Sequence, residues 1–184
     1  MLLAWASPAL AHTGHEAGSF IYGFAHPLGG IDHVLAMLAA GLYAVILGGR
    51  ALWLVPAAFL GAMMLGGLMG MAGYAVPYAE IGIAASVIVL GLGVALRISL
   101  PALAAVSLVG VFAIFHGHAH GAEMPQTIPG YEYAAGFLLA TALLHAIGIA
   151  IGLTGGRLAE HGGWRVARVA GAAIAVAGVA LLAN

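Results

Sequence analysis

Six apolar runs, each near the ~20 residues an α-helix needs to cross a ~30 Å hydrocarbon core, constrain this chain more than any other feature. They cover Phe20 to Leu47, Leu52 to Tyr74, Ile81 to Leu96, Ala102 to His120, Tyr133 to Thr154 and Val166 to Ala183. The connections are short: GGR at 48–50, AVPYAE at 75–80, RISLP at 97–101, AEMPQTIPGYE at 122–132 and a glycine-rich segment around 155–165. In lipid a helix satisfies its own backbone hydrogen bonds, so the pattern predicts an all-α, polytopic membrane helix bundle of about six transmembrane helices. Composition leaves no other solvent. Hydrophobic residues make up 64% of the chain and charged ones 6%, against about a quarter charged in a soluble domain. The mean hydropathy is +1.11.

The first run is too long for one straight span, at ~40 Å for 1.5 Å per residue. Pro27 and Gly29-Gly30 are the expected break, with an outer helix or arm to about Ala25 and a new helix starting near Pro27. Ahead of it, Met1 to Ala11 (MLLAWASPALA) ends in the small-x-small pattern Ala9-Leu10-Ala11 of a signal-peptide cleavage site. It lacks a basic n-region, so either the true start lies upstream or the signal is a poor one. Residues 1–11 are read as a signal remnant and 12–184 as one transmembrane transport domain. Cleavage after Ala11 would expose His12 in HTGHE, where the α-amine and imidazole could chelate a cation beside His15 and Glu16. A plain polar tail is the competing reading.

Arginine sets the expected orientation. If connections alternate sides, Arg50, Arg97, Arg157, Arg165 and Arg168 share one side and the opposite connections carry no Lys or Arg. The positive-inside rule makes that side cytoplasmic and both termini extracytoplasmic, in a bacterial inner membrane. Glu16, Glu80, Glu123 and Glu132 then fall on or near the outer side, where they form either a cation-concentrating vestibule or an ordinary solvated rim. Glu160 and His161 belong to the cytoplasmic turn, and His161 is read as solvated.

The 29 glycines point to close helix packing, as in the pairs Gly66/Gly70 and Gly148/Gly152. With no cysteine, a metal site must use nitrogen and oxygen, with thioether sulfur a weaker option. Met63, Met64, Met69 and Met71 could supply that sulfur, although filling gaps is the usual task of methionine. No basic patch suggests nucleic acid, and no nucleotide-binding loop suggests ATP-driven pumping.

Two segments carry the chemistry. HPLGGIDH places His26, Asp32 and His33 at the mouth of the first span, where uncompensated polar groups are costly. Asp32 could bind a cation, orient a ligand, or cap the helix starting near Gly30. FHGHAHGAE places His116 and His120 four residues apart with Glu123 three further, on one helical face. Imidazoles at that spacing can share a cation and a carboxylate one turn on can join them. The structural alternative is histidines bonded to carbonyls between helices. His118 points off that face, while Gly117 and Gly121 would admit a neighbouring helix. His145, ~20 Å inward from Glu132 on the fifth run, is either a deeper ligand or a buried structural histidine.

HPLGGIDH, FHGHAHGAE and LHAIG together resemble the HupE/UreJ family of small membrane metal permeases, whose patterns are HPxxGxDH, FHGxAHGxE and LHxxG. The similarity runs over nearly the whole chain. It implies nickel uptake supplying hydrogenase or urease, with cobalt for some members, and carries functional roles to His26, Asp32, His33, His116, His120 and Glu123. His145 occupies the histidine of the third pattern, and His118 fills a variable position with no role.

The expected activity is therefore passage of a divalent transition metal, with Ni²⁺ as transported substrate and Co²⁺ or Zn²⁺ as alternatives. The residues supply the metal class and the resemblance supplies nickel. No organic cofactor is expected, the lipid bilayer is the surrounding partner, and an oligomer is left open. Two rival readings are a membrane metallohydrolase, which lacks HExxH and a general base between His116 and His120, and a sensor or accessory protein that binds metal without flux.

Overall fold

The computed structural model describes residues 15–125, 127–157 and 163–183, and among these every regular element is a helix. In chain order they are α1 (His15–Gly29), α2 (Ile31–Leu47), α3 (Ala51–Met71), α4 (Ala79–Ala95), α5 (Ala102–Glu123), α6 (Gly130–Arg157) and α7 (Gly163–Leu182). The proposed signal at 1–11, His12, Glu160 and His161 lie outside the described residues, as do the side chains of His15 and Glu16.

The helical membrane bundle expected from the apolar runs is the architecture observed. α3, α5, most of α6 and most of α7 are each long and apolar enough to cross a membrane. α1 and α2 make a fifth candidate as one broken span, bent by 83°. The remaining apolar run is α4, whose 17 residues rise ~26 Å. That is shorter than a ~30 Å core.

The break falls within the expected stretch, at its Gly30 end. Pro27 lies inside α1 rather than opening a new helix, because in the last turn its missing N–H forfeits only one backbone bond. The chain turns at Gly30, which is extended (φ −95°, ψ 115°) and precedes α2. A Cβ at Gly30 would lie 2.7 Å from Asp32 Oδ1 and 3.0 Å from His33 Nδ1, so a side chain there would push against the polar groups below the bend.

Small residues bring the helices together. A Cβ at Gly117 would run into the Met63 carbonyl and one at Gly121 into that of Gly67, while Gly66 and Gly70 lie against the carbonyls of Ile114 and His118. α3 and α5 therefore touch backbone to backbone. Gly148 of α6 approaches the Leu38 carbonyl of α2, and Gly152 packs on Val45. The interior between these helices is filled by Met37, Ala40, Val55, Phe59, Met63, Leu90, Val94 and Val109. Trp53, Leu65, Leu103, Val111 and Val176 point outward, as lipid-facing residues should.

At the other end of the bundle, Arg168 Nε donates to the Ala95 carbonyl at 3.0 Å, satisfying a group that the end of α4 leaves free. Arg97 stacks 4.2 Å from the centre of the Trp164 ring, a cation–π contact that further ties α4 to α7.

Candidate metal centre

His26 occupies the last turn of α1, and His120 and Glu123 the end of α5. The packing of α5 against α3 and the bend after Gly29 bring these ends together. One ligand atom from each of His26, His120 and Glu123 lies within 4.8 Å of the others, a spacing that one cation can bridge. His26 Nε2 is 3.2 Å from Glu123 Oε2, and the His26 and His120 ring centres are 4.8 Å apart. Both nitrogens of His120 are buried without a hydrogen-bond partner.

This trio opens into a cavity of about 320 Å³ lined also by Gly29, Gly30, Asp32, His33, Glu80 and Ala119. Asp32 is outside the trio. Its Oδ1 accepts from the backbone N–H of His33 at 2.8 Å and lies 2.8 Å from His33 Nδ1. Asp32 thus satisfies one free N–H at the start of α2 and orients an imidazole, joining two of the roles its position suggested. His33 Nε2 is buried with no partner.

Beneath the trio, the His33 ring centre is 4.1 Å from that of His120 and 4.7 Å from that of His116. His116 shares the inward face of α5 with His120 but not the trio. Its Nε2 is 2.8 Å from Ser86 Oγ on α4. Phe59 continues the column, 5.6 Å from the His116 ring and 4.8 Å from that of His145. His145 is 1% exposed, and neither of its nitrogens has a partner.

The remaining candidates fall elsewhere. His118 turns away from the cavity, as expected, and donates Nε2–H to the Tyr74 carbonyl at 2.7 Å. Met63, Met64 and Met71 line one cavity with His120; Met64, Met69 and Met71 are exposed, and Met63 is buried with its sulfur 3.9 Å from Thr141 Oγ1. Of the carboxylates expected near one side, Glu80 and Glu123 line the cavity; Glu132 is not among its lining residues.

Sequence reasoning did not select Ser86, Phe59 or Phe137 for the site. Phe137 packs 4.2 Å from the His120 ring and walls that imidazole off. Phenylalanines in an apolar run carry no distinguishing signal. Ser86 did carry one, as the only hydroxyl residue in α4.

Fold and site define a polytopic helical membrane protein whose broken first span and fifth helix gather imidazoles and carboxylates inside the bundle. The chain belongs to the HupE/UreJ family: the family model described as HupE / UreJ protein matches residues 1–181. Protein HupE of Rhizobium leguminosarum bv. viciae is 48% identical over 180 residues, covering 98% of this chain and 93% of that protein. No solved structure matches this chain.

Proposed function

We propose that the chain is a transition-metal permease that carries Ni²⁺ across the bacterial inner membrane into the cytoplasm, for hydrogenase or urease maturation, and is not an enzyme. The observation that carries this reading is the meeting of His26 with His120 and Glu123 inside one bundle, above a file of buried imidazoles, those of His33, His116 and His145, each with at least one nitrogen that lacks a hydrogen-bond partner. Buried polar groups normally find partners, and a file of such nitrogens suits an ion that must exchange its water shell for successive ligands.

In this reading the cation enters at the end bearing Glu80 and Glu123, loses part of its water to His26, His120 and Glu123, and moves past His33 and His116 toward His145. Arg50, Arg97, Arg157, Arg165 and Arg168 face the cytoplasm by the positive-inside rule, which puts the cavity and both termini outside. A charge gains ~2.3 kcal/mol in crossing 100 mV, so a divalent ion gains ~4.6 kcal/mol. That drives inward uniport without nucleotide hydrolysis.

Purified protein in sealed vesicles with an inside-negative potential tests the reading. Saturable Ni²⁺ entry, competed by Co²⁺ more than by Mg²⁺, is the expected result. Tight binding without entry supports the accessory-protein reading, and hydrolysis of a peptide or lipid bond supports the enzyme.

A further inference from the structure

Ser86 sits on α4, outside all three histidine motifs, yet its contacts decide which nitrogen of His116 carries a proton. Both side chains are fully buried. Ser86 Oγ lies 2.6 Å from the Ile83 carbonyl oxygen and 2.8 Å from His116 Nε2. A hydroxyl has a single proton. Two oxygens at 2.6 Å need it between them, so Ser86 donates to Ile83. Only lone pairs then face His116, and a contact of 2.8 Å requires Nε2 to donate a hydrogen. The remaining lone pair of a neutral imidazole is on Nδ1, the atom of His116 that is buried with no partner.

His33 shows the mirror arrangement. Asp32 Oδ1, an acceptor, lies 2.8 Å from His33 Nδ1, so Nδ1 carries the hydrogen and the lone pair is on Nε2. That atom too is buried without a partner. The two rings meet edge to face with centres 4.7 Å apart, and His120 of the outer trio is one ring away from His33. A serine on one side and an aspartate on the other thus hold adjacent imidazoles in opposite tautomers, each with one nitrogen left to bind an ion. The outer partner of a metal-binding histidine commonly fixes its tautomer in this way.

We propose that Ser86 is a positioning residue for an inner station, formed by Nδ1 of His116 and Nε2 of His33, that receives a divalent transition metal from the His26–His120–Glu123 trio. The proposal rests on the permease reading and adds a second stop with its own support. Loss of the Ser86 hydroxyl lets His116 sample the other tautomer, in which Nδ1 is protonated and cannot coordinate. Transfer past the trio slows while binding at the trio persists.

The test compares full-length wild type, Ser86→Ala and Ser86→Thr. Nitrogen-15 spectra of histidine-labelled protein, with His116 assigned by its disappearance in His116→Gln, report the tautomer directly. The wild type is expected to show Nε2–H, Ser86→Ala a mixture, and Ser86→Thr the wild-type form, because the hydroxyl is retained. In vesicles, Ser86→Ala is expected to lower the maximal Ni²⁺ entry rate ~10-fold or more, to change the half-saturating concentration less than ~2-fold, and to be rescued by Ser86→Thr. An Nδ1–H tautomer in the wild type overturns the proposal, as does Ni²⁺ entry that Ser86→Ala leaves untouched. Wild-type vesicles that move no Ni²⁺ overturn the permease reading itself, whatever the spectra show.

Discussion

His26 and Glu123 are 97 residues apart in the chain, yet the His26 imidazole and the Glu123 carboxylate meet at 3.2 Å. The contact joins the end of α1 to the end of α5, and His120 completes a trio around the same point. If one ion holds all three, removing two ligands should not cost the sum of removing each. His26→Ala and Glu123→Gln are each expected to weaken Ni²⁺ binding by ~10-fold or more, and the double variant to lie close to the weaker single. Equilibrium dialysis of the purified proteins measures this, and strictly additive losses would refute a shared ion.

Asp32 acts through His33. Asn retains an acceptor oxygen for the Nδ1–H of His33, whereas Ala leaves the ring free to turn. Asp32→Ala is expected to abolish metal accumulation with the protein still in the membrane, and Asp32→Asn to keep a measurable fraction. Equal activity of the two variants, measured as Ni²⁺ uptake by vesicles, would contradict the orienting role.

Proton competition follows from the ligand type. Metal and proton compete for the same imidazole lone pair, so Ni²⁺ affinity should fall as the pH is lowered. The sign is fixed because protonation removes the lone pair that binds. Titrations with Ni²⁺ over the whole pH range in which the protein stays folded measure this, and a flat affinity throughout would count against histidine coordination.

His118 serves as the internal control. Its Nε2–H is committed to the Tyr74 carbonyl, away from the cavity. His118→Ala should leave Ni²⁺ affinity within ~2-fold and cost ~1 kcal/mol of stability, the usual net value of one hydrogen bond. Dialysis and thermal unfolding in detergent separate the two effects.

The glycine faces make a contrasting prediction about the fold. Gly117→Leu would drive a side chain into the Met63 carbonyl, forcing α3 from α5 and dismantling the trio with it. Gly61 has nothing within 4 Å of a Cβ, so Gly61→Ala should be neutral or stabilising by up to ~1 kcal/mol. Thermal unfolding of the two variants distinguishes them.

Much of this was legible in the chain because lipid imposes simple rules. Run length and the want of charge dictated a helical bundle, and the histidine segments stood out because apolar spans rarely contain them. Other details were hidden for definite reasons. The break falls within the expected stretch from Pro27 to Gly30, but the new helix was expected near Pro27, whereas a proline in a last turn costs little and the chain turns at Gly30. The spacing of His116 and His120 suggested a shared ion, whereas the trio joins His120 to His26, because a single-helix pattern cannot register which neighbouring helix end approaches each imidazole. For Glu80 a vestibule and a solvated rim were both open; the packing of α4 beside α5 brings it to the cavity.

His120 is the residue common to both levels of the site, beside His26 at the outside and His33 within. The most direct test is therefore the initial rate of Ni²⁺ entry into vesicles holding equal amounts of folded wild type or His120→Ala. The account predicts saturable entry for the wild type and background entry for the variant; equal rates in the two would contradict it.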